Sequence, residues 1–289
     1  MKHYYPTVPY PFTMPFYYSS LTNIGVYYLV PVDNVASFLK GTGLKPALFD
    51  GQAMVSYNFQ LYTGQFSSGI NTPIESWATS GASVTQELEL NIVAYPESQA
   101  SKVLPLTAVQ FIQDGDQSKI LGNHRVRVPC DADVAIQAGI ELFGEPKFKT
   151  SFQVNLPSPN PLRQDSVPYI PEWDQSWGFQ INDPTTAGEF IFNVITDLNG
   201  LTPIPGNISP ITEYGTHDGK MIACRWNIQQ AFNTYFLSPN DAGRVALTYG
   251  NSSHPMREET QVLIGNSLPF AVQTMNSAPA AIQSRAYYP

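Results

Sequence analysis

Proline and glycine recur along the whole of this chain, at 25 and 20 of its 289 residues. Proline removes a backbone hydrogen-bond donor and glycine weakens a helix interior, so long helices are interrupted. The chain also holds 16 Phe and 16 Tyr residues, and aromatic side chains suit strands. The sequence therefore predicts a mainly β protein, with short strands in antiparallel layers and few short helices.

Alternating or apolar, β-rich segments mark the individual strands. The dipeptide Asp218-Gly219 is typical of a tight hairpin turn and accounts for the segment 214–219. The segments that predict strands are 23–32, 54–62, 84–95, 103–112, 124–128, 189–197 and 220–228.

Helical signals are short and few. Asp33 can cap a helix over 35–40, and 229–237 could form a second short helix. Residues 131–141 fit either a strand that leads into a turn or a helical turn. Five prolines in 157–173 predict a long loop there.

The chain divides into an arm and one domain. Residues 1–20 hold aromatics and prolines without periodicity, which predicts an extended arm that packs on a surface or a neighbouring subunit. No linker is evident in the rest, so we predict a single domain over 21–289.

Charge excludes several classes of partner. The formal net charge is −8, with 15 Lys and Arg against 23 Asp and Glu, so no basic face is available for nucleic acid. No apolar run approaches the roughly 20 residues that cross a bilayer, which predicts no membrane partner. Prolines interrupt the apolar N-terminus where a signal peptide needs an unbroken core, and we therefore predict a cytoplasmic protein.

Motifs for cofactors and metals are absent from the sequence. It has no glycine-rich nucleotide loop, no zinc-protease motif and no serine-hydrolase elbow. Its two cysteines and four histidines are scattered, and none has a second ligand at metal spacing. We predict no cofactor and no metal.

Two pairs of charged residues are spaced to share strand faces. Glu87 and Glu89 lie on one face of the segment 84–95, with leucines on the other. Arg125 and Arg127 are also two residues apart. That pair could clamp a substrate carboxylate, although a solvated strand face is the more ordinary explanation.

One lysine stands out by its apolar sequence surroundings. Lys147 follows Gly144-Glu145-Pro146 and is flanked by leucine, isoleucine and phenylalanine. Burial among such side chains would lower the pKa of its amine, and a neutral amine can attack a carbonyl to form an imine. Alternatively, the lysine stem covers apolar surface while its head stays in water.

The segment around this lysine, AIQAGIELFGEPK, resembles the active-site signature of the acetoacetate decarboxylase superfamily, roughly G-x-E-x-x-G-x-P-K. The match falls on Gly139, Glu141, Gly144, Pro146 and Lys147. The resemblance implies a Schiff base between Lys147 and a substrate keto group. It also implies a homo-oligomer and a mostly antiparallel, cone-like pair of sheets closed around an apolar cavity.

The chain departs from the family's decarboxylases at three positions. Phe148 stands where they carry a second lysine, and Lys149 could substitute for it. Asn23 and Asn58 align with a pocket arginine and a second pocket glutamate. The chain therefore resembles the divergent members that perform aldol condensation, dehydration or cyclisation.

These observations predict a Schiff-base-forming lyase that acts on a keto acid or a related carbonyl compound. Lys147 would be the nucleophile and Glu87 the acid and base, with Glu141 supporting the turn that presents the lysine. Phe148, Asn23 and Asn58 would contact the substrate. The alternative is a non-catalytic protein that binds a small ligand or a partner on the same scaffold.

Overall fold

We analysed a computed structural model, which describes residues 4–65, 84–157, 175–206, 210–229, 232–277 and 281–289. The loop expected at 157–173 lies almost entirely outside these residues. Within them, strands dominate and helices are short, so the predicted mainly β class is confirmed.

The strands are as follows: β1 Phe16–Val30, β2 Leu44–Pro46, β3 Leu48–Phe49, β4 Gln52–Gln65, β5 Thr85–Pro96, β6 Gly122–Cys130, β7 Lys147–Lys149, β8 Phe152–Asn155, β9 Ser176–Asn182, β10 Phe190–Asp197, β11 Ile204–Gly206, β12 Ile211–His217, β13 Lys220–Ile228, β14 Phe232–Phe236, β15 Val245–Tyr249, β16 Pro269–Ser277 and β17 Ala281–Gln283. The α-helices are α1 Asp33–Leu39, α2 Ala108–Asp114, α3 Asp133–Phe143 and α4 Pro255–Ile264, with 3₁₀ turns at Glu97–Lys102 and Pro239–Arg244.

Two segments differ from the sequence prediction. Residues 103–112 were expected to form a strand, but Thr107 and Gln110 form a reciprocal capping box that starts α2. Residues 229–237 were a candidate helix, but β14 pairs with β16 in the large sheet. The ambiguous segment 131–141 is mostly helical, in α3.

The large sheet closes on itself through its pairings. Strand β1 pairs with β4 along one edge and, through Phe16–Tyr18, with β17 along the other. From there the pairings continue through β13, β12, β6 and β5 back to β4. The sheet is mixed because β6 runs parallel to both β7 and β12.

A smaller antiparallel sheet covers one outer face of this ring, in the order β15-β10-β9-β8. The core between the two sheets is apolar and aromatic. Phe59 on β4 stacks on Phe179 on β9, with ring centroids 5.0 Å apart. Leu88 and Leu90 on β5 are fully buried in the same core. By strand alternation, the even-numbered β4 and odd-numbered β5 side chains face the inside of the ring.

The N-terminal boundary differs from the predicted arm. Residues 16–20 are already part of β1, and Phe16 and Tyr18 are buried. With Phe12 they belong to an apolar cluster that also contains residues of α3 and β13. This part of the predicted arm therefore packs on the chain's own sheet. The single domain over 21–289 stays a prediction.

Candidate functional site

A β-bulge on β6 turns Arg125 into the ring. Leu90 pairs with Arg127 and Asn91 pairs with Arg125, so Val126 is an extra residue between the two arginines. An extra residue reverses the alternation of the strand. Arg125 therefore shares the inner face with Glu89, and the expectation that both arginines share one face is wrong.

Arg125 is buried among three carboxylates. Its guanidinium lies 3.0 Å from Glu89 Oε1 and 2.8 Å from Glu145 Oε1, and it also contacts Glu213 Oε2. Only 3% of the arginine side chain is exposed. Burial disfavours its charge, but the three carboxylates more than compensate and raise the pKa of Arg125. The solvated strand face is thus also excluded for Arg125.

The turn after α3 brings Lys147 to the same interior. Gly144 ends α3 in the left-handed conformation, at φ 62°, and its own N–H bonds to the carbonyl of Ile140. The next two residues lead into β7, which places Lys147 beside Val128 of β6. A Cβ on Gly139 would lie 2.5 Å from Lys147 Cδ, so the lysine stem crosses α3 where only glycine leaves room.

Lys147 Nζ donates two hydrogen bonds and lies within ion-pair distance of a second carboxylate. Lys147 Nζ lies 2.6 Å from Glu87 Oε2, 3.1 Å from Glu145 Oε2 and 3.2 Å from the Ala135 carbonyl oxygen. The side chain is 6% exposed. The predicted nucleophile and the predicted acid–base residue are therefore in direct contact, although they lie on different elements.

The electrostatics of this lysine differ from the sequence expectation. Burial alone would lower the pKa of Lys147, but the carboxylates of Glu145 and Glu87 outweigh burial and raise it. The expectation of a neutral lysine in an aromatic pocket is therefore wrong: the lysine is a paired ammonium in a charged cluster.

The two carboxylates on Lys147 have opposite pKa shifts. Burial raises the pKa of Glu87, with Lys147 partly opposing the shift and Glu145 adding to it. For Glu145, burial is outweighed by Arg125 and Lys147, and its pKa is lowered. Glu87 also accepts hydrogen bonds from Gln60 Nε2 at 3.0 Å and from Tyr62 Oη at 3.2 Å.

A cavity inside the ring, which we call the inner chamber, lies next to this cluster. Glu89, Glu213 and Gln60 are in its wall, so it shares residues with the ion network and with the contacts of Glu87. Asn23 and Asn58 also line it, and Asn23 Nδ2 donates to Asn58 Oδ1 at 2.5 Å. The other described lining residues are Leu21, Tyr27, Ser56, Asn123, Ile211, Trp226, Ile228, Phe232, Gln273 and Met275. The chamber wall therefore combines apolar and aromatic side chains with amides and two carboxylates.

Comparisons with known proteins give matches by structure only. No family model and no curated protein matches the sequence. The enduracididine biosynthesis enzyme MppR superposes over 94% of this chain and 86% of its own, at 12% identity and a TM-score of 0.57. An acetoacetate decarboxylase-like enzyme from Sphingomonas wittichii superposes over 94% of this chain and 91% of its own, at 13% identity and a TM-score of 0.54. The acetoacetate decarboxylase of Legionella pneumophila superposes over 98% of this chain and 90% of its own, at 8% identity and a TM-score of 0.54.

The chain has the acetoacetate decarboxylase-like fold. The superpositions span nearly the whole chain, and the fold implied by the lysine motif is confirmed. At these identities the likeness establishes the fold and leaves the chemistry to the residues of the site.

Three residues singled out in the sequence lie outside the site of this decarboxylase-like fold. Phe148, expected to contact substrate, packs against the His254 ring, with centroids 4.4 Å apart, because successive residues of β7 point to opposite faces. Lys149 Nζ lies 2.8 Å from Asp133 at the solvent-exposed start of α3, so it does not substitute for a second active-site lysine. Glu141 accepts from Gln137 one helical turn earlier, and Glu145 contacts Lys147 instead.

The residues that sequence reasoning missed are Glu145 and Glu213, whereas Arg125 was considered only as half of a carboxylate clamp or of a solvated face. Glu145 stood within the lysine motif itself, and its place two residues before Lys147 was a usable signal. No sequence signal marked Glu213, because its strand β12 reaches β6 only through a parallel pairing between segments far apart in the chain.

The described residues contain neither a metal-binding cluster nor a membrane-spanning helix. No group of three or more His, Cys, Asp and Glu side chains there is arranged to hold a metal ion. None of the helices in that part of the chain is both long and apolar enough to cross a membrane.

Proposed function

We propose that this protein is a lyase that forms a Schiff base between Lys147 and a small carbonyl compound. The observation that carries the proposal is the 2.6 Å contact between Lys147 Nζ and Glu87 Oε2, inside the ring of strands and next to the inner chamber. A nucleophile in hydrogen-bond contact with its base is the arrangement that such catalysis requires.

Glu87 and Glu145 take different roles in this proposal. A carboxylate with a raised pKa accepts and returns protons readily, whereas one with a lowered pKa stays ionised. Glu87 is accordingly the acid and base, and Glu145 is a positioning residue that holds Lys147 and Arg125 at once.

The reaction starts with proton transfer from the Lys147 ammonium to Glu87. The neutral amine attacks the carbonyl carbon to give a carbinolamine, and water leaves with the proton that Glu87 returns. The net change converts ammonium and carbonyl into an iminium and one water, with Glu87 ionised again. The iminium draws electrons from the adjacent carbon, so a C–C, C–OH or C–carboxylate bond at that position can break or form.

Trapping with cyanoborohydride and peptide mapping tests the proposal. We expect a reduced adduct on Lys147 with at least one of a panel of small ketones and aldehydes. Lys147→Arg should remove the adduct and keep a cation between its carboxylates. Lys149→Arg is the matched control and should retain it, because Lys149 is exposed and contacts Asp133 and the Asp131 carbonyl at the start of α3. An adduct that persists in Lys147→Arg contradicts the assignment.

Glu87→Gln tests the second role. If Glu87 moves protons in the slow step, adduct formation should slow by about 10²–10⁴-fold. An unchanged rate would reduce Glu87 to a partner that holds the lysine. Folding of the variant is checked by circular dichroism.

A second function is favoured by one observation. Lys147 is held by two hydrogen bonds and by ion pairs with two carboxylates, and its pKa is raised, which suits a structural ammonium in a protein that binds a small ligand without chemistry. Ligand binding in the absence of any adduct on Lys147 would select this alternative. Homo-oligomer formation, cytoplasmic location and the absence of a nucleic-acid partner remain predictions from the sequence.

A further inference from the structure

The charge of the inner chamber limits what it can hold. Among its described lining residues, the charged side chains are Glu89 and Glu213, and none is Lys, Arg or His. Arg125 lies behind both carboxylates and is also paired with Glu145. Its guanidinium is therefore already shared among three carboxylates, and no cation in this wall is free for a fourth.

The crowding of negative charge is visible in Glu213. Burial raises its pKa to about 8; Arg125 opposes the shift, while Glu89 and Glu145 add to it. The groups that face Glu213 are thus one arginine, two carboxylates and the Cys224 thiol, which donates to its Oε2 at 3.3 Å. A substrate carboxylate placed here would lie beside the Glu89 carboxylate, in a site where Glu213 already keeps its proton at neutral pH, and a further negative charge is therefore unfavourable.

The rest of the wall provides neutral hydrogen-bonding groups. Amides from five residues line the chamber: Asn23, Asn58, Gln60, Asn123 and Gln273. Trp226, which is 6% exposed, also belongs to the wall, and its buried indole N–H has no hydrogen-bond partner among the described residues. A buried donor without a partner favours a ligand that brings an acceptor oxygen.

The cavity next to the chamber has no cation in its described wall either. This second cavity shares Tyr27, Asn123, Ile211, Phe232 and Gln273 with the chamber wall, which makes it the candidate entry path. Beyond these residues it is bounded by α2 and the following turn, where the one charged residue described is Asp116. Electrostatic attraction along this path would favour neutral or cationic molecules over anions.

We propose that the chamber selects a carbonyl compound without negative charge: a ketone or aldehyde that carries hydroxyl, amide or amine groups. The inference rests on the proposed Schiff-base function and narrows it. A substrate that has no carboxylate cannot be decarboxylated, so the bond broken or formed next to the iminium is C–C or C–OH. Keto acids, which the sequence resemblance implied, are the class that this chamber excludes.

A matched pair of probes tests the charge preference at Lys147. Pyruvamide and pyruvate differ only in an amide against a carboxylate, and aminoacetone adds a cation. Cyanoborohydride adducts on Lys147 are quantified by mass spectrometry and normalised to the reactivity of each probe with Nα-acetyl-lysine. We expect pyruvamide and aminoacetone to exceed pyruvate by about tenfold or more. Equal or faster trapping of pyruvate overturns the inference and leaves the Schiff-base function standing.

A second measurement separates the inference from the proposed function. Lactamide and lactate cannot form an imine, so their binding, followed by saturation-transfer NMR, reports the chamber alone. Lactamide should bind and lactate should not. Glu89→Gln removes one carboxylate from the wall and should narrow the difference; Glu141→Gln, on the surface of α3, should leave it unchanged. Binding of lactate, or of neither compound, contradicts the inference, whereas lactamide binding without any adduct on Lys147 contradicts only the Schiff base.

Discussion

Arg125 and Arg127 lie two residues apart on β6 and yet have opposite environments. Arg125 faces the inside of the ring, where it is 3% exposed and contacts three carboxylates. Arg127 faces outward to α4, where it is 33% exposed and forms a two-pronged ion pair with Glu259, at 2.7 Å for each contact. Because the contacts of Arg125 are buried, losing them should lower the free energy of unfolding much more than losing the ion pair of Arg127.

The bulge at Val126 creates this difference. Without the bulge the alternation of β6 would put both arginines on the same face, so the interior would hold either both of them or neither. With it, the interior has Arg125 and Lys147 against four carboxylates, while Arg127 is used to attach α4. A single irregularity in pairing therefore sets the net charge of the chamber wall.

Removing each arginine in turn sharpens this comparison most. Arg125→Met should lower the free energy of unfolding by about 3–5 kcal/mol, because it leaves Glu89, Glu145 and Glu213 buried without their shared cation. Arg127→Met should cost about 1 kcal/mol or less, since its pair is half-exposed. Urea unfolding at neutral pH measures both. Equal losses of unfolding free energy would show that the two arginines are equally solvated. The proposed charge preference of the inner chamber would then lose its basis.

The pH dependence of stability follows from Glu213. Its pKa of about 8 in the folded protein exceeds the unfolded value of about 4.3. Between these values only the folded state holds the proton, so unfolding releases it and stability falls as pH rises, by up to about 1.4 kcal/mol per pH unit. The contribution is fully present below the unfolded pKa and is lost above pH 8.

Glu213→Gln should remove this slope. We expect wild type to lose stability relative to the variant from pH 6 to pH 8, by roughly 3 kcal/mol at most, and then to run parallel to it. Urea midpoints at half-unit pH steps provide the measurement. Parallel profiles from pH 6 upward would mean that Glu213 is ionised in the folded protein and that the wall is more negative than inferred.

Sequence periodicity correctly placed Glu87 and Glu89 together, and it failed for the arginines. On β4 and β5 the pairing is regular, so alternation alone puts Gln60 opposite Glu87 and both inside the ring. On β6 the bulge interrupts the alternation, and no residue type in this segment indicates a bulge. Local rules thus hold as far as the pairing stays regular.

The environment of Lys147 could not be predicted for a different reason. The apolar neighbours in sequence suggested a desolvated neutral amine, but the atoms that touch Nζ come from β5, α3 and the turn before β7. A pKa depends on neighbours in space, and 60 residues separate the lysine from Glu87. The motif singled out Lys147, whose role stays a prediction, and the charge of the lysine depends on groups brought together by long-range pairing.

Gly139→Ala tests whether close packing against α3 holds Lys147 and Glu145 in place. An added Cβ would lie 2.4 Å from Glu145 Oε2 and 2.5 Å from Lys147 Cδ, so both side chains would have to move. We expect a loss of about 1–3 kcal/mol in unfolding free energy, partly offset by the better helix propensity of alanine.

The control for this variant is Gly243→Ala, where an added Cβ meets nothing within 4 Å and the backbone is not left-handed. It should change stability by less than about 0.5 kcal/mol. The distinguishing readout is chemical: displacement of Lys147 and Glu145 should slow carbonyl trapping at Lys147 in Gly139→Ala and leave it unchanged in Gly243→Ala. If trapping survives in Gly139→Ala, the geometry of the lysine is set by its carboxylates alone, because charge pairing would then hold Nζ in place even when its stem is displaced.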